Sequence, residues 1–210
     1  YYFQIRPAEL MDAAWKSRSA SFRAPHVVSV LKCTEDIERL FQSEVLSLDD
    51  AESRAHAFCH ALDVADACLD MASFSVALCV VRALTSPPIA RLRQTLARVP
   101  GRYRERLARF EALFLVKAAA EYHSMLQHTK PPFLPALPIH LGELSLLHDK
   151  METVQRRRFV NVAKMEAYTA TISSILRFRT QRFLFRPNMM VAQFLEGAPK
   201  GEPERGHAIS

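Results

Sequence analysis

The chain has 210 residues, 49% of them hydrophobic and 24% charged, which is enough apolar material for a sizeable core and excludes a disordered chain. Twelve prolines against 5 glycines favour helices joined by proline-marked turns. The formal net charge of +6 suits an acidic protein, anionic lipid or nucleic acid without selecting one, and no zinc-finger spacing or arginine–glycine repeat supports the nucleic-acid case.

The four cysteines, Cys33, Cys59, Cys68 and Cys79, include no C-x-x-C pair. They read as reduced thiols of a cytoplasmic protein, three of them among apolar neighbours. No run approaches the roughly 20 apolar residues of a membrane span, and no signal peptide is visible. A first residue of Tyr rather than Met leads to the expectation of a fragment.

In chain order, residues 1–15 read as an opening segment with a short helix started by Pro7 and carrying Leu10, Met11 and Trp15. Lys16–Pro25 reads as a basic loop. Residues 26–46 carry Val27, Val30, Leu31, Ile37, Leu40, Phe41 and Val45 at helical spacing. Residues 51–73 form the clearest helix, with Phe58, Leu62, Ala65, Leu69 and Ala72 on one face. Ser73-Phe74-Ser75 is expected to link it to Val76–Leu84, a helix apolar nearly all round and therefore buried. Thr85–Pro88 is a turn, and Pro88 suits the start of a helix with Ile89, Leu92 and Leu96. Pro100-Gly101 ends that unit. Residues 103–128 are expected to form one long helix, with the tract Lys117–Ala120 on a packing face.

Pro131, Pro132, Pro135 and Pro138 then interrupt the chain. Each ring fixes φ and removes a backbone donor, so Phe133–Ala136 is expected to be extended. From Pro138 onward Ile139, Leu141, Leu144, Leu146 and Leu147 return near helical spacing, ending at His148, Asp149 and Glu152. Gln155–Arg158 is a basic cluster. Phe159–Arg179 reads as a helix, Phe183–Leu195 as a short terminal one, and residues 197–210 as a disordered tail. There is no P-loop, dinucleotide fingerprint, H-E-x-x-H or G-x-S-x-G. The eight histidines form no evident ligand set, so no metal site, no cofactor and no bond-making active site is expected.

Four blocks of this chain resemble the catalytic domain of Ras-family guanine-nucleotide exchange factors. YFQIRPAELMDAAW (2–15) resembles the family's "(L/F)xxIxPxEL…W". FSVALCVVRALTSPPIARL (74–92) resembles "FNxxxxIxxxLxSxPIxRL". PPFLPALPIHLGELSLLHDKMET (131–153) resembles the "PPxxP…(G)xYLT(D/N)" region, and FVNVAK (159–164) resembles "(L)INFSK". They occur in the family's order and at about its spacing across residues 2–195. The resemblance implies an all-α domain over residues 1–196, lacking the family's extreme N-terminal helix, with a protruding two-helix hairpin over roughly 139–178.

It also implies a function without covalent chemistry. The hairpin would displace switch I of a GTPase, a carboxylate would repel phosphate, and an apolar side chain would block the Mg²⁺ position. Asp149 falls on the carboxylate. Ser145 falls on the apolar blocker, flanked by Leu144 and Leu146, and a one-residue shift puts Leu146 in that role. Ser145→Leu is expected to strengthen exchange. Ser75, Leu141, Leu144, His140, Asn161 and Lys164 fall on GTPase-binding positions. Ala136, Ser145 and Ser75 depart from the family pattern. The implied partner is a small GTPase of the Ras, Rap or Ral type, whose own Mg²⁺ and GDP are acted on, with no nucleic acid involved. Contact with the inner face of the plasma membrane would be indirect, through the lipidated GTPase or flanking domains. The alternative is a degenerate exchange-factor fold serving as a non-catalytic binding scaffold, and, further off, a helical interaction domain unrelated to GTPases.

Overall fold

The computed structural model describes residues 1–116, 119–150, 154–155, 159–186 and 188–197. The fold is all-α. Its helices are α1 (Ala20–Arg23), α2 (Pro25–Leu46), α3 (Ala51–Asp70), α4 (Phe74–Leu84), α5 (Pro87–Ala90), α6 (Arg93–Arg98), α7 (Gly101–Phe114), α8 (Ala120–His128), α9 (Leu137–Lys150), α10 (Val162–Leu176) and α11 (Met189–Gly197). A two-residue antiparallel ladder, β1 (Val154–Gln155) with β2 (Phe159–Val160), pairs Val154 with Val160 and Gln155 with Phe159. Among the described residues, no helix is long and apolar enough to cross a membrane.

The chain divides into two units, Tyr1–Cys33 with Pro135–Arg182, and Thr34–Leu134 with Phe183–Ser210. The first unit holds the opening segment, the start of α2, and α9 and α10. Its core is shared by all of them: Ile5, Leu10 and Ala14 from the opening turns, Val27 and Val30 from α2, Leu141 and Leu144 from α9, and Tyr168, Ile172 and Ile175 from α10. Removing these side chains from water is worth about 1.5–3 kcal/mol for each large one.

A buried carboxylate joins the opening segment to α2. Helix α2 starts at Pro25 after Ala24, which has no side-chain acceptor, so its first N–H groups need a partner from elsewhere. Glu9, 0% exposed, supplies it. Its Oε2 accepts from the backbone N–H of His26 at 2.8 Å and of Val27 at 3.3 Å, and its Oε1 lies 2.8 Å from His26 Nδ1. Arg6 closes the cage, its backbone N–H donating to Oε1 at 3.3 Å and its Nε at 3.4 Å. Burial alone would push the Glu9 carboxyl up; the hydrogen bonds from His26, Val27 and Arg6 outweigh it and hold the group below the ordinary glutamate range.

The second unit is built around α4, whose Phe74, Ala77, Leu78, Val80, Val81 and Leu84 are all buried, as its all-round apolar sequence requires. Helix α3 packs on it, capped by Asp50, whose side chain accepts from the N–H groups of Glu52 at 2.9 Å and Ser53 at 2.8 Å. Phe74 meets Tyr122 edge-on at 5.4 Å between ring centroids. Leu134, from the proline-rich stretch, pairs with the α3–α4 turn: its N–H donates to Ala72 O at 2.9 Å and its carbonyl accepts from Ser75 N at 3.3 Å. The four cysteines are free thiols, Cys68 and Cys79 buried, Cys59 half-buried and Cys33 exposed.

Several boundaries differ from expectation. The expected helix over 103–128 is two helices, α7 and α8, broken at Ala119, which adopts the left-handed conformation at φ 54°. Residues 117–118 of the neighbouring tract lie outside the described residues. Helix α3 ends at Asp70, where Ala72 turns left-handed at φ 53° and the N–H groups of Ala72 and Ser73 donate back to Leu69 O at 2.8 Å and Cys68 O at 2.7 Å, a Schellman closure with alanine in the place that usually takes glycine. Phe74 and Ser75 therefore belong to α4 rather than to a linker. The stretch expected as one helix after Pro88 is split into α5 and α6. Phe159–Val160 is strand, and α10 begins only at Val162. The terminal helix begins at Met189, not Phe183. The Lys16–Pro25 loop contains α1. Residues 198–210 of the expected tail and Arg156–Arg158 of the basic cluster lie outside the described residues.

Two outcomes follow from these local energetics. Glu9→Ala should lower stability by about 2–3 kcal/mol, since it removes a helix cap and strands buried donors, whereas Glu9→Gln should cost roughly 1 kcal/mol. A carboxyl whose folded pKa is depressed contributes stability that is complete above its unfolded pKa and is lost as pH falls through the folded value. Urea denaturation over an acidic pH series should show that loss in the native sequence and a smaller one in Glu9→Gln. Ala72→Gly should raise stability by about 0.5–1 kcal/mol, because the left-handed turn then carries no Cβ penalty. A fall in the urea midpoint would refute this account of the turn.

Candidate functional site

The site expected from the sequence centres on α9 and α10, which pack against each other within the first unit. Pro138 occupies the second position of α9, where its missing N–H costs nothing, and the turn is set by Leu137 N–H donating to Pro135 O at 2.9 Å and Ile139 N–H donating to Ala136 O at 3.0 Å. Tyr2 Oη also donates to Pro135 O, at 3.2 Å. Between the two helices the β1–β2 ladder turns the chain back.

Helix α9 has two unlike faces. Leu137, Leu141 and Leu144, spaced i, i+4, i+7, are buried in the core. Gly142, Leu146 and Asp149 have the same spacing and are exposed. Leu146 is 53% exposed, an apolar side chain held out in solvent three residues before an exposed carboxylate.

Helix α10 starts at Asn161, whose Oδ1 accepts from Lys164 N–H at 3.1 Å. Lys164 is 1% exposed. Its Nζ donates to His148 O at 3.4 Å, a carbonyl in the last turn of α9, and lies 5.8 Å from the Tyr168 ring centroid. A cation at a helix C-terminus meets both the unpaired carbonyls and the negative end of the helix dipole. Tyr168, one turn further along α10, donates from its hydroxyl to Leu144 O at 3.3 Å. Burial pushes this phenol up, with the carboxylates of Asp12 and Asp149 adding to it, so it remains a neutral donor.

These placements correct several expectations. Ser145 does not face outward. It is 7% exposed, and its Oγ donates to Leu141 O at 2.8 Å on the same helix, a bond available to a small hydroxyl on a crowded face. Leu146, one residue further on, holds the outward position. Leu141 and Leu144, expected as partner contacts, are core residues. His140 is buried with Nδ1 3.4 Å from Glu143 Oε2. Asn161 and Lys164 cap helices, and Ser75 is buried in the first turn of α4, in the second unit. Only Leu146 and Asp149 of the expected site residues present their side chains to solvent. Tyr168 went unnoticed in the sequence; its position one turn after Lys164 was the available signal.

Because Ser145 is buried, Ser145→Leu should overpack its surroundings on the inner side of α9. Thermal or urea denaturation should show a loss of about 1–3 kcal/mol. A neutral or stabilising substitution would mean that this face is open.

Comparison with known proteins identifies the family of this chain. Residues 1–166 match the RasGEF domain. The chain is 22% identical over 195 residues to Ras guanine nucleotide exchange factor Y of Dictyostelium discoideum, covering 92% of this chain and 13% of that protein. It is 22% identical over 196 residues to Protein son of sevenless of Drosophila melanogaster, covering 93% and 12%. It is 22% identical over 190 residues to Ras-specific guanine nucleotide-releasing factor 1 of Homo sapiens, covering 89% and 15%. The chain thus spans less than a sixth of the length of these relatives. With the matched residues running from the Glu9 segment through both α9 and the start of α10, the chain belongs to the RasGEF domain family.

Proposed function

We propose that this chain promotes release of guanine nucleotide from a small GTPase of the Ras, Rap or Ral kind, using the outer face of α9. The observation that carries this reading is the exposed pair Leu146 and Asp149, one turn apart on a helix whose other face is locked into the core. An exchange factor acts by preferring the nucleotide-free partner, because only differential affinity shifts an equilibrium. Leu146 would fill space that Mg²⁺ and its water need, and Asp149 would place a negative charge where phosphate must return. No bond is made or broken in the chain's own residues. The partner's own Mg²⁺ and nucleotide are the species acted on, and the chain supplies no cofactor. It would work in the cytoplasm and meet the membrane indirectly, through a lipidated partner or flanking domains.

The inward placement of Ser145 and Ser75 supports activity over the scaffold reading. Their departures from the family pattern fall on buried positions and leave the exposed pair intact.

Release of a fluorescent nucleotide from a panel of small GTPases tests this directly. Leu146→Ala should slow release by about 10–100-fold, the equivalent of losing a buried leucine contact worth about 1.5–3 kcal/mol. Asp149→Asn should slow it by roughly tenfold, a partly screened charge effect. Both should melt like the parent, since both side chains are exposed. An unmodified chain that is inactive on the whole panel yet captures a nucleotide-free GTPase would establish the scaffold instead.

A further inference from the structure

The basic loop Lys16–Arg23, between the opening segment and α2, puts no side chain into the core of the first unit. Its ends are anchored by the buried Ala14 and Ala24. Between these anchors, α1 buries none of its residues. Lys16, Arg18, Ser21, Phe22 and Arg23 are all exposed, and Phe22 is 87% exposed, an aromatic ring left in solvent. None of the three cations forms an ion pair with a described residue. The three serines of the loop are not equivalent. Ser17 Oγ donates to Ala14 O at 2.8 Å and lies 3.4 Å from Ser19 Oγ, whereas the Ser21 hydroxyl makes no hydrogen bond to a described residue. Ser21 also has Arg18 three residues before it, Lys16 five before it and Phe22 directly after it.

We propose that Ser21 is a phosphorylation site for a basophilic serine/threonine kinase, one with an acidic substrate groove and an apolar pocket for the residue after the serine. Charge pattern is a principal means by which kinases separate their substrates. Arg18 and Lys16 offer that groove two cations with no ion pair to give up, and an arginine–carboxylate pair is strengthened by bidentate geometry. Phe22 offers an apolar anchor that the fold itself leaves unused. To read the loop as an extended strand, the kinase must open α1. That opening gives up the N–H bonds of Phe22 and Arg23 to Ser19 O, at 3.0 and 2.9 Å. A single helical turn with no buried side chain has little else to hold it. In the transfer, Ser21 Oγ attacks the γ-phosphorus of ATP, its proton passes to the carboxylate base of the kinase, and the bond to the leaving ADP breaks. The phosphoserine carries about −1.5 to −2 charge at pH 7, which offsets most of the positive charge of Lys16, Arg18 and Arg23.

The experiment incubates the folded 210-residue chain with ATP and the catalytic subunit of cyclic-AMP-dependent protein kinase, a basophilic enzyme, and locates phosphate by peptide mass mapping. Ser21 should be modified at a rate within about tenfold of that for a free peptide spanning residues 14–25, because opening α1 costs little. Arg18→Ala should slow the reaction by about tenfold or more, the loss of one charge-assisted contact. Phe22→Ala should slow it several-fold, and Ser19→Ala should leave it unchanged. All three side chains are exposed, so the variants should melt like the parent. An acid-directed kinase should leave Ser21 unmodified. The proposal is overturned if the folded chain gains no phosphate at Ser21, if phosphate falls on Ser17 or Ser19 in its place, or if Arg18→Ala leaves the rate unchanged. None of these residues belongs to the exchange surface of α9, so the result stands whether or not the chain is an active exchange factor.

Discussion

The Glu9 carboxylate holds the first unit together. It is buried, and burial of an unpaired carboxylate costs several kcal/mol. Here two N–H groups of the α2 first turn, the His26 imidazole and Arg6 converge on its two oxygens, so the charge is surrounded by donors that themselves lacked partners. Each side resolves the other's deficit. The consequence reaches beyond the cap, because the same segment delivers Ile5, Leu10 and Ala14 to the core in which α9 and α10 are seated. A helix start, an opening segment and the α9–α10 pair are thereby coupled through one side chain.

The hairpin repeats this logic at its other end. Helix α9 ends in carbonyls that have no partner within the helix, and Lys164 reaches them from α10 while its own helix start is capped by Asn161. Tyr168 fastens the middle of α9 by donating to Leu144 O. These contacts join one helix to the other rather than either to solvent, so they fix which face of α9 is left outside. That face holds Gly142, Leu146 and Asp149.

Scarcity of glycine explains where local rules misled. Chain reversals that usually recruit glycine are made here by alanine: Ala72 ends α3 and Ala119 separates α7 from α8, both with positive φ. Alanine is the best helix former, so a reversal centred on it leaves no trace in composition or periodicity. Tertiary packing overrides the propensity, since Ala119 and Tyr122, one turn further on, are both buried.

The sequence by itself determined the helical class, the buried nature of α4, the proline-marked start of α9 and the family, because each depends on residue type or on periodicity along one segment. It also placed Asp149 and Leu146 among the candidates for the outer face. Only the tertiary structure decided which of the candidates face outward. Ser145 and Leu146 are adjacent and differ by about 100° around the helix axis, so a pattern aligned one residue off exchanges a core hydroxyl for an exposed leucine. The tertiary structure also turned Lys164 and Asn161 from expected contacts into caps and disclosed Glu9 as the cap of a helix 16 residues further on. Such pairings join groups distant in the chain, and no local pattern can state which buried donor a given carboxylate will meet.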